Sequence, residues 1–361
     1  MNDRIISFPH LGDYSYFIKP LLYNVTGFKV MVAPPITKKT VSLGSKYSPD
    51  FICLPFKYNL GNYIEALDNG ANVLFQFGGG CRYGNYGTLQ KTILEDLGYN
   101  FLFYEFIKNG KTGFNYVYRM FKEINPDLSR SCLFKNLVVI FIKIMLFDKL
   151  DDYRRRKVFC DNKEAKRLKY KFINDVKDEM NLFKIFKIWN RYFKKFRKLK
   201  KKKPILKIGI IGELYTAMEP FSTYNLEDVL KDMDISVKRF TDVSFLLIYK
   251  KILWPYVKFK TRDYLKYKQG ADASFNVYRT LFLSKKKYNG IIHTKPFGCT
   301  PEVSVIPIID KIACEKKMPI MYLSFDTQSS GTGIRTRLEA FIDMLVMRKE
   351  NKKWKRKLIW G

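Results

Sequence analysis

The cysteines of this chain are the residues whose types and positions best predict chemistry. Cys81 follows a strand-like apolar run, 73–77, and the three glycines Gly78-Gly79-Gly80. Glycines permit positive φ angles and a close approach of the backbone to a bound group. A thiol on such a turn is a candidate metal ligand or nucleophile. The alternative is a flexible loop that carries an ordinary cysteine.

Two further cysteines are predicted at similar junctions. Cys299 follows a predicted strand, 290–294, and precedes Thr300, a predicted helix N-cap. Cys53 is predicted to end a strand at 51–54, with a helix after it. Parallel sheets bind ligands outside the carboxyl ends of their strands, and helix N-termini there stabilise thiolates. We therefore expect Cys53, Cys81 and Cys299 to converge in one interdomain cleft.

Three thiolates suit one [4Fe-4S] cluster that leaves its fourth iron open. A zinc site with three cysteines is an alternative, although the short C-x-x-C pairs of zinc frameworks are absent from the sequence. A second alternative is that all three are buried apolar thiols. The remaining cysteines are weaker candidates: Cys132 and Cys160 lie in a predicted helical segment, and Cys314 lies about 20 Å along the helix from Cys299.

The net charge of +32 is unevenly distributed, with eleven basic and no acidic residues between Lys184 and Lys203. This segment is interpreted either as a solvated helix face or as a binding surface for nucleic acid, anionic lipid or an acidic protein. The chain starts without the pattern of a signal peptide, and its longest apolar run, 137–147, is too short to span a bilayer. We expect a cytoplasmic protein without a membrane partner.

The order of predicted elements indicates an α/β protein. Residues 1–105 and 205–361 alternate strand and helix patterns, which is typical of βαβ units and parallel sheets. Residues 106–204 are predicted to form a helical, basic insert or lid between these two domains. A helix over 245–268 is predicted to break at Pro255. The predicted strands are 5–9, 29–33, 51–54, 73–77, 101–104, 207–212, 236–240, 290–294 and 319–323.

Common catalytic motifs are absent from the sequence. It contains no GxxxxGK[ST], HExxH or GxSxG, and residues 78–84 do not match GxGxxG. His10 and His293 are the only histidines, and each is predicted to be a strand residue with a satisfied hydrogen bond. His293 is the better candidate for proton transfer because it lies near Cys299.

Several stretches carry a family resemblance. In the first half they are Phe8-Pro9-His10-Leu11-Gly12, Leu43-Gly44-Ser45-Lys46-Tyr47, Cys53-Leu54-Pro55-Phe56-Lys57, Leu60-Gly61-Asn62 with Glu65-Ala66-Leu67, and the glycine–cysteine stretch through Arg82-Tyr83-Gly84. In the second half they are Ile211-Gly212-Glu213-Leu214-Tyr215, Glu219-Pro220-Phe221, Pro296-Phe297-Gly298-Cys299-Thr300-Pro301-Glu302 and Thr336-Arg337-Leu338-Glu339-Ala340-Phe341. On these residues the chain, outside 106–204, resembles the 2-hydroxyacyl-CoA dehydratase-related family, which includes the CoA protein activase (acyl-CoA dehydratase activase-related) and double-cubane iron–sulfur proteins.

The resemblance implies two Rossmann-like domains and a [4Fe-4S] cluster held by Cys53, Cys81 and Cys299. It implies a separate ATP-hydrolysing iron–sulfur activator that passes a low-potential electron to the cluster, for dehydratase (lyase) or reductive (oxidoreductase) chemistry. Since the chain shows no nucleotide-binding motif, we expect it to receive the electron. Some members carry GGCGPC where this chain has GGGC, so the resemblance does not extend to a further ligand near Cys81. A single [4Fe-4S] cluster and a double cubane are both open. A homodimer and a heterodimer with a related subunit are both open.

Three further residues are predicted to lie in loops at the same sheet edges and to orient a substrate, with ordinary surface positions as the alternative: Arg82, Glu213 and Glu219. Two other functions are alternatives to this one. The chain is either a non-catalytic binding or scaffold protein that acts through its basic segment, or an iron–sulfur protein whose cluster has no turnover.

Overall fold

The computed structural model describes residues 4–78, 81–108, 111 and 113–360, with side chains to residue 351. The chain divides into two compact units. The first unit comprises Met1–Phe147 and Tyr170–Tyr192, and the second comprises Asp148–Lys169 and Phe193–Gly361. The segment 106–204, which the sequence predicts as a separate insert, therefore contributes residues to both units.

The first unit is built on a parallel sheet with the strand order β2-β1-β3-β4. Its strands are β1 (Ile5–Phe8), β2 (Lys29–Val32), β3 (Val73–Gln76) and β4 (Leu102–Glu105). Its helices are α1 (Ser15–Thr26), α2 (Lys38–Tyr47), α3 (Leu54–Asp68), α4 (Tyr86–Asp96) and α5 (Phe114–Ile124). The apolar run of β3 is buried along its whole length, and α3 packs a core against it that includes Phe56, Tyr63 and Leu74.

The middle of the chain is mainly helical, as the sequence predicts. It contains α6 (Arg130–Arg156), β5 (Val158–Phe159), α7 (Asn162–Val176), α8 (Leu182–Lys198) and β6 (Lys201–Lys202), with β5 and β6 antiparallel. Across the described part of the chain, no helix combines the length and the apolar character needed to cross a membrane.

The second unit repeats the topology of the first, with the strand order β10-β9-β7-β8, again all parallel. Its strands are β7 (Lys207–Gly212), β8 (Ser236–Arg239), β9 (Gly290–Pro296) and β10 (Ile320–Phe325). Its helices are α9 (Leu214–Met218), α10 (Leu226–Asp232), α11 (Lys250–Thr261), α12 (Ala273–Lys285), α13 (Thr300–Glu315) and α14 (Gly331–Trp360). The α/β prediction is thus confirmed, with two Rossmann-like parallel sheets flanked by helices.

Local predictions are wrong at several positions. His10 lies after β1 and is not a strand residue. The predicted strand at 51–54 is a turn in which Phe51 is 90% exposed, and Cys53 precedes α3 directly. Pro55 at the start of α3 favours helix initiation, and a four-residue apolar run does not distinguish strand from helix start. The helix near Pro255 does not break there, since a π-helical turn, Phe245–Tyr249, leads into α11, which continues through the proline.

Candidate functional site

The two sheets place Cys81 and Cys299 at equivalent positions of their separate units. In each sheet the chain order reverses beside the first strand of the unit, between β1 and β3 in one and between β7 and β9 in the other. Open α/β sheets bind ligands at this reversal, outside the carboxyl ends of the strands. Cys81 follows β3 and Cys299 follows β9, so both lie in the loop that leaves this position.

All three predicted cysteine ligands are N-cap residues. Cys53 caps α3, Cys81 caps a short 3₁₀ helix at Arg82–Asn85, and Cys299 caps α13. The predicted N-cap Thr300 is instead the first residue of α13. The sequences Cys53-Leu54-Pro55 and Cys299-Thr300-Pro301 share this geometry, because proline fits the first helical turn and the extended cysteine precedes it.

Tyr86 contacts the Cys53 thiol in the first unit. Its hydroxyl lies 2.9 Å from Cys53 Sγ, and its ring contacts Phe56 edge-to-face with centroids 4.9 Å apart. Burial raises the pKa of Tyr86 well above its usual range; Cys53 and then Cys81 raise it further, whereas Arg82 lowers it. Cys53 therefore contacts Tyr86 directly, and the charge of Cys81 acts on the same phenol. Sequence reasoning missed Tyr86, whose only signal is its place at the start of α4.

A layer of buried polar side chains lies at the carboxyl end of β3. Asn59 donates to the Tyr83 hydroxyl over 2.6 Å, and the Tyr63 hydroxyl donates to Gln76 Oε1, also over 2.6 Å. Asn59 Oδ1 and Gln76 Nε2 are buried without a hydrogen-bond partner among the described residues. The cysteine loop of the first unit therefore lies near polar groups with unused hydrogen-bonding capacity.

Cys299 has a different environment. It is buried, and Gly298 before it has φ +71°, the left-handed region that favours glycine. Burial lowers the pKa of the nearby Lys295, and the negative charges of Cys299 and Glu302 oppose this. Lys295 and Cys299 thus interact electrostatically.

A buried hydrogen-bond network is centred on Glu302, in the first turn of the helix that follows Cys299. His293 Nε2 and Glu302 Oε2 are 2.7 Å apart, and Asn276 Nδ2 donates to both carboxylate oxygens of Glu302 over 2.9 and 3.0 Å. Asn276 also donates to the Gly212 carbonyl, which links the network to β7. The strand position of His293 and the hydrogen bond of its Nε2 are confirmed, whereas its Nδ1 is buried without a partner among the described residues. Glu302 is fully engaged in this network.

The three predicted substrate-orienting residues have unequal environments. Arg82 is exposed in the 3₁₀ helix. Glu213 caps α9 by accepting from the Tyr215 and Thr216 amides over 2.9 and 2.8 Å; burial raises its pKa and these hydrogen bonds oppose the shift. Glu219 is buried. A surface position is therefore wrong for Glu219, and the substrate-orienting role stays a prediction for all three.

The other cysteines are dispersed: Cys132 is half-buried on α6, Cys160 is exposed after β5, and Cys314 is exposed near the end of α13. Within residues 4–78, 81–108, 111 and 113–360, no three side chains of His, Cys, Asp or Glu are gathered as one metal-binding group. Of the three predicted ligands, Cys53 and Cys81 lie in the first unit and Cys299 lies in the second.

Comparison with known proteins adds no family assignment, because no family model matches the chain and no curated protein matches it significantly.

Proposed function

We propose that this chain is an iron–sulfur protein of the 2-hydroxyacyl-CoA dehydratase-related type, which receives low-potential electrons from an ATP-hydrolysing activator. Cys53, Cys81 and Cys299 would hold one [4Fe-4S] cluster. The observations that support the proposal are that Cys53 Sγ lies 2.9 Å from the hydroxyl of Tyr86, at the start of the helix that follows the Cys81 loop, and that Cys299 occupies the position of Cys81 in the repeated topology.

The thiols of Cys53, Cys81 and Cys299 are of the donor type that binds such a cluster. Iron–sulfur clusters are held by cysteine thiolates, and Cys53 and Cys299 each precede an α-helix whose first amides favour negative charge. Gly78, on the path from β3 to Cys81, leaves no room for a side chain, since a Cβ there would lie 2.6 Å from Ile107 Cβ.

Each unit has residues suited to a defined task in this function. The bound cluster would accept one electron and offer one iron without a protein ligand. Tyr86 contacts the Cys53 sulfur, Lys295 places positive charge near Cys299, and Glu302 holds the first turn of α13 through Asn276. Arg82 is exposed beside Cys81, where it is suited to bind an anionic substrate group.

Anaerobic reconstitution with iron and sulfide tests the cluster. We expect a brown protein with broad visible absorption and about four irons per chain. Replacing Cys53, Cys81 or Cys299 by serine should reduce iron content and absorption, whereas the matched changes C132S, C160S and C314S should not. A colourless wild-type protein, or one that holds only zinc, contradicts the proposal.

Electron transfer from the activator is tested separately. A purified ATP-hydrolysing iron–sulfur activator should reduce the cluster in an ATP-dependent reaction, seen as bleaching of the visible absorption. If the protein binds the cluster but the activator does not reduce it, the result would favour a cluster that only supports the structure. The reduced protein can then be assayed for dehydration of 2-hydroxyacyl-CoA thioesters.

A second candidate function is binding of an acidic protein surface, and exposed apolar side chains beside cations favour it. On α8, Phe183 is 79% exposed among lysines, while Ile185 and Phe196 are buried. On α11, Ile252 and Phe259 are exposed on the side opposite Val257. An apolar stripe flanked by cations is typical of helices that bind acidic amphipathic partners.

Binding of polyglutamate measured against salt concentration tests this second function. We expect affinity to fall steeply with salt and to weaken when the exposed Lys187, Lys194 and Lys198 are changed to glutamine. Replacing these three is preferable to deleting 184–203, because that deletion removes the buried Ile185 and Phe196. Equal binding at low and high salt would exclude this function, and tighter binding of an oligo-dT probe would assign the surface to nucleic acid.

A further inference from the structure

The contact between Tyr86 and Cys53 joins two elements that are distant in sequence. Tyr86 is the first residue of α4 and Cys53 is the residue before α3. Their O···S separation of 2.9 Å is short for a hydrogen bond to sulfur. The contact therefore ties the starts of two helices of the first unit together at a thiol.

The Tyr86 ring is fixed by its surroundings. The residue is 6% exposed, its ring packs edge-to-face on Phe56, and Tyr83 lies on it with centroids 5.6 Å apart. A buried phenol has little rotational freedom and gains most when its hydroxyl has a partner. If Cys53 is a thiolate, its sulfur has only acceptor capacity, and the phenol must be the donor.

We propose that Tyr86 is a positioning residue that donates a hydrogen bond to Cys53 Sγ, holds this thiolate in place and makes the cluster easier to reduce. This inference rests on the proposed function, because it assigns to Tyr86 the tuning of that cluster. Hydrogen bonds to the sulfurs are among the factors that set cluster potentials. A donor stabilises the more negative, reduced cluster more than the oxidised one, so the reduction potential rises.

The test compares Tyr86→Phe with the matched change Tyr99→Phe in the reconstituted protein. Both changes remove one hydroxyl from the first unit, and that of Tyr99 bonds Asp68, 2.7 Å away. We expect a more negative reduction potential and an altered electron paramagnetic resonance spectrum for Y86F, and wild-type values for Y99F. Loss of cluster from folded Y86F alone would also support positioning. A wild-type potential and spectrum in Y86F would overturn the inference.

A second measurement on the metal-free protein separates this inference from the proposed function. In a double-mutant cycle, Y86F and C53A should together destabilise the protein less than the sum of the single changes, because either change already breaks the contact. Additive losses of stability would show that Tyr86 and Cys53 do not stabilise the protein through a shared contact. If the wild-type chain binds no cluster, the proposed function and the tuning role both fail. A non-additive cycle in that case would show that the Tyr86–Cys53 hydrogen bond exists but has only a structural role.

Discussion

The loops around Cys81 and Cys299 occupy the same place in two copies of one topology, yet their surroundings differ. Cys81 is exposed, and its charge, like that of Cys53, raises the pKa of the buried Tyr86 phenol. Cys299 is buried beside Lys295, and the first turn of the helix that follows it carries Glu302, the centre of a buried network. Sheet topology thus places a cysteine at each strand-order reversal, and side-chain packing decides its exposure and electrostatic partners.

Gly78, between β3 and Cys81, and Gly212, at the end of β7, also have different neighbours. A Cβ on Gly78 would meet the Ile107 side chain, whereas a Cβ on Gly212 would lie 1.9 Å from the Thr294 carbonyl oxygen. Gly212 also has φ +134°. Gly78 is thus limited by a side chain, and Gly212, at the end of β7, by the backbone of the neighbouring β9.

The largest expected effect comes from Gly212→Ala. The clash is with backbone and the φ angle is unfavourable for alanine, so we expect a loss of about 4 kcal/mol in the free energy of unfolding, measured in urea. Gly78→Ala should cost about 2 kcal/mol, because its neighbour is a side chain. Equal losses for the two variants would contradict this contrast between a side-chain clash at Gly78 and a backbone clash at Gly212.

The next effect concerns the buried network of the second unit. Glu302→Ala leaves His293 and Asn276 without their shared acceptor, and we expect a loss of about 3 kcal/mol. The exposed Glu339, which pairs with Arg335, is the control, and its replacement by alanine should cost less than about 0.5 kcal/mol. Hydrogen exchange of β9 and α13 locates the loss, and unchanged protection there in E302A would contradict the network's role.

A pH effect is expected in both units, because each contains a buried lysine. Burial lowers the pKa of Lys143 in the first unit and of Lys231 in the second from 10.5 to about 8. Between these values the unfolded chain binds more protons than the folded chain, so the free energy of unfolding rises with pH. We expect a rise on the order of 2 kcal/mol per lysine from pH 8 to about 10, since buried tyrosines with raised pKa values, such as Tyr63, oppose it above that.

Lysine-to-methionine variants separate the two contributions to this slope. K143M should flatten the pH dependence of hydrogen exchange in the first unit, and K231M should flatten it in the second. The exposed Lys187 is the control position, where a change to methionine should leave both slopes as they are. A wild-type slope in both buried-site variants would show that other groups control stability in this range.

The smallest effect is the rate of thiol alkylation in the folded, metal-free protein. Cys81 is exposed and Cys299 is buried, so iodoacetamide should modify Cys81 about ten times faster, equivalent to ~1.4 kcal/mol. Cys53, which is half-buried, should react at an intermediate rate. In denaturant the three rates should become similar, and a persistent difference would mean that local sequence, not folding, sets reactivity.

The sequence alone determines the α/β class, because apolar strand-length runs alternate with helical patterns over both halves of the chain. The glycine and proline signals near Cys81 and Cys299 also locate these two residues after buried strands. The strand predicted at 51–54 fails because four apolar residues before a proline fit a helix start equally well.

Only the tertiary structure shows that Tyr86 meets Cys53 and that Glu302 meets His293 and Asn276. The first contact joins residues 33 positions apart, and the Asn276–Glu302 contact joins residues 26 positions apart. No local pattern encodes such distances, because they depend on how helices pack on a sheet once it has formed. Local sequence thus determined which residues begin each helix, whereas packing decided which side chains each cysteine meets.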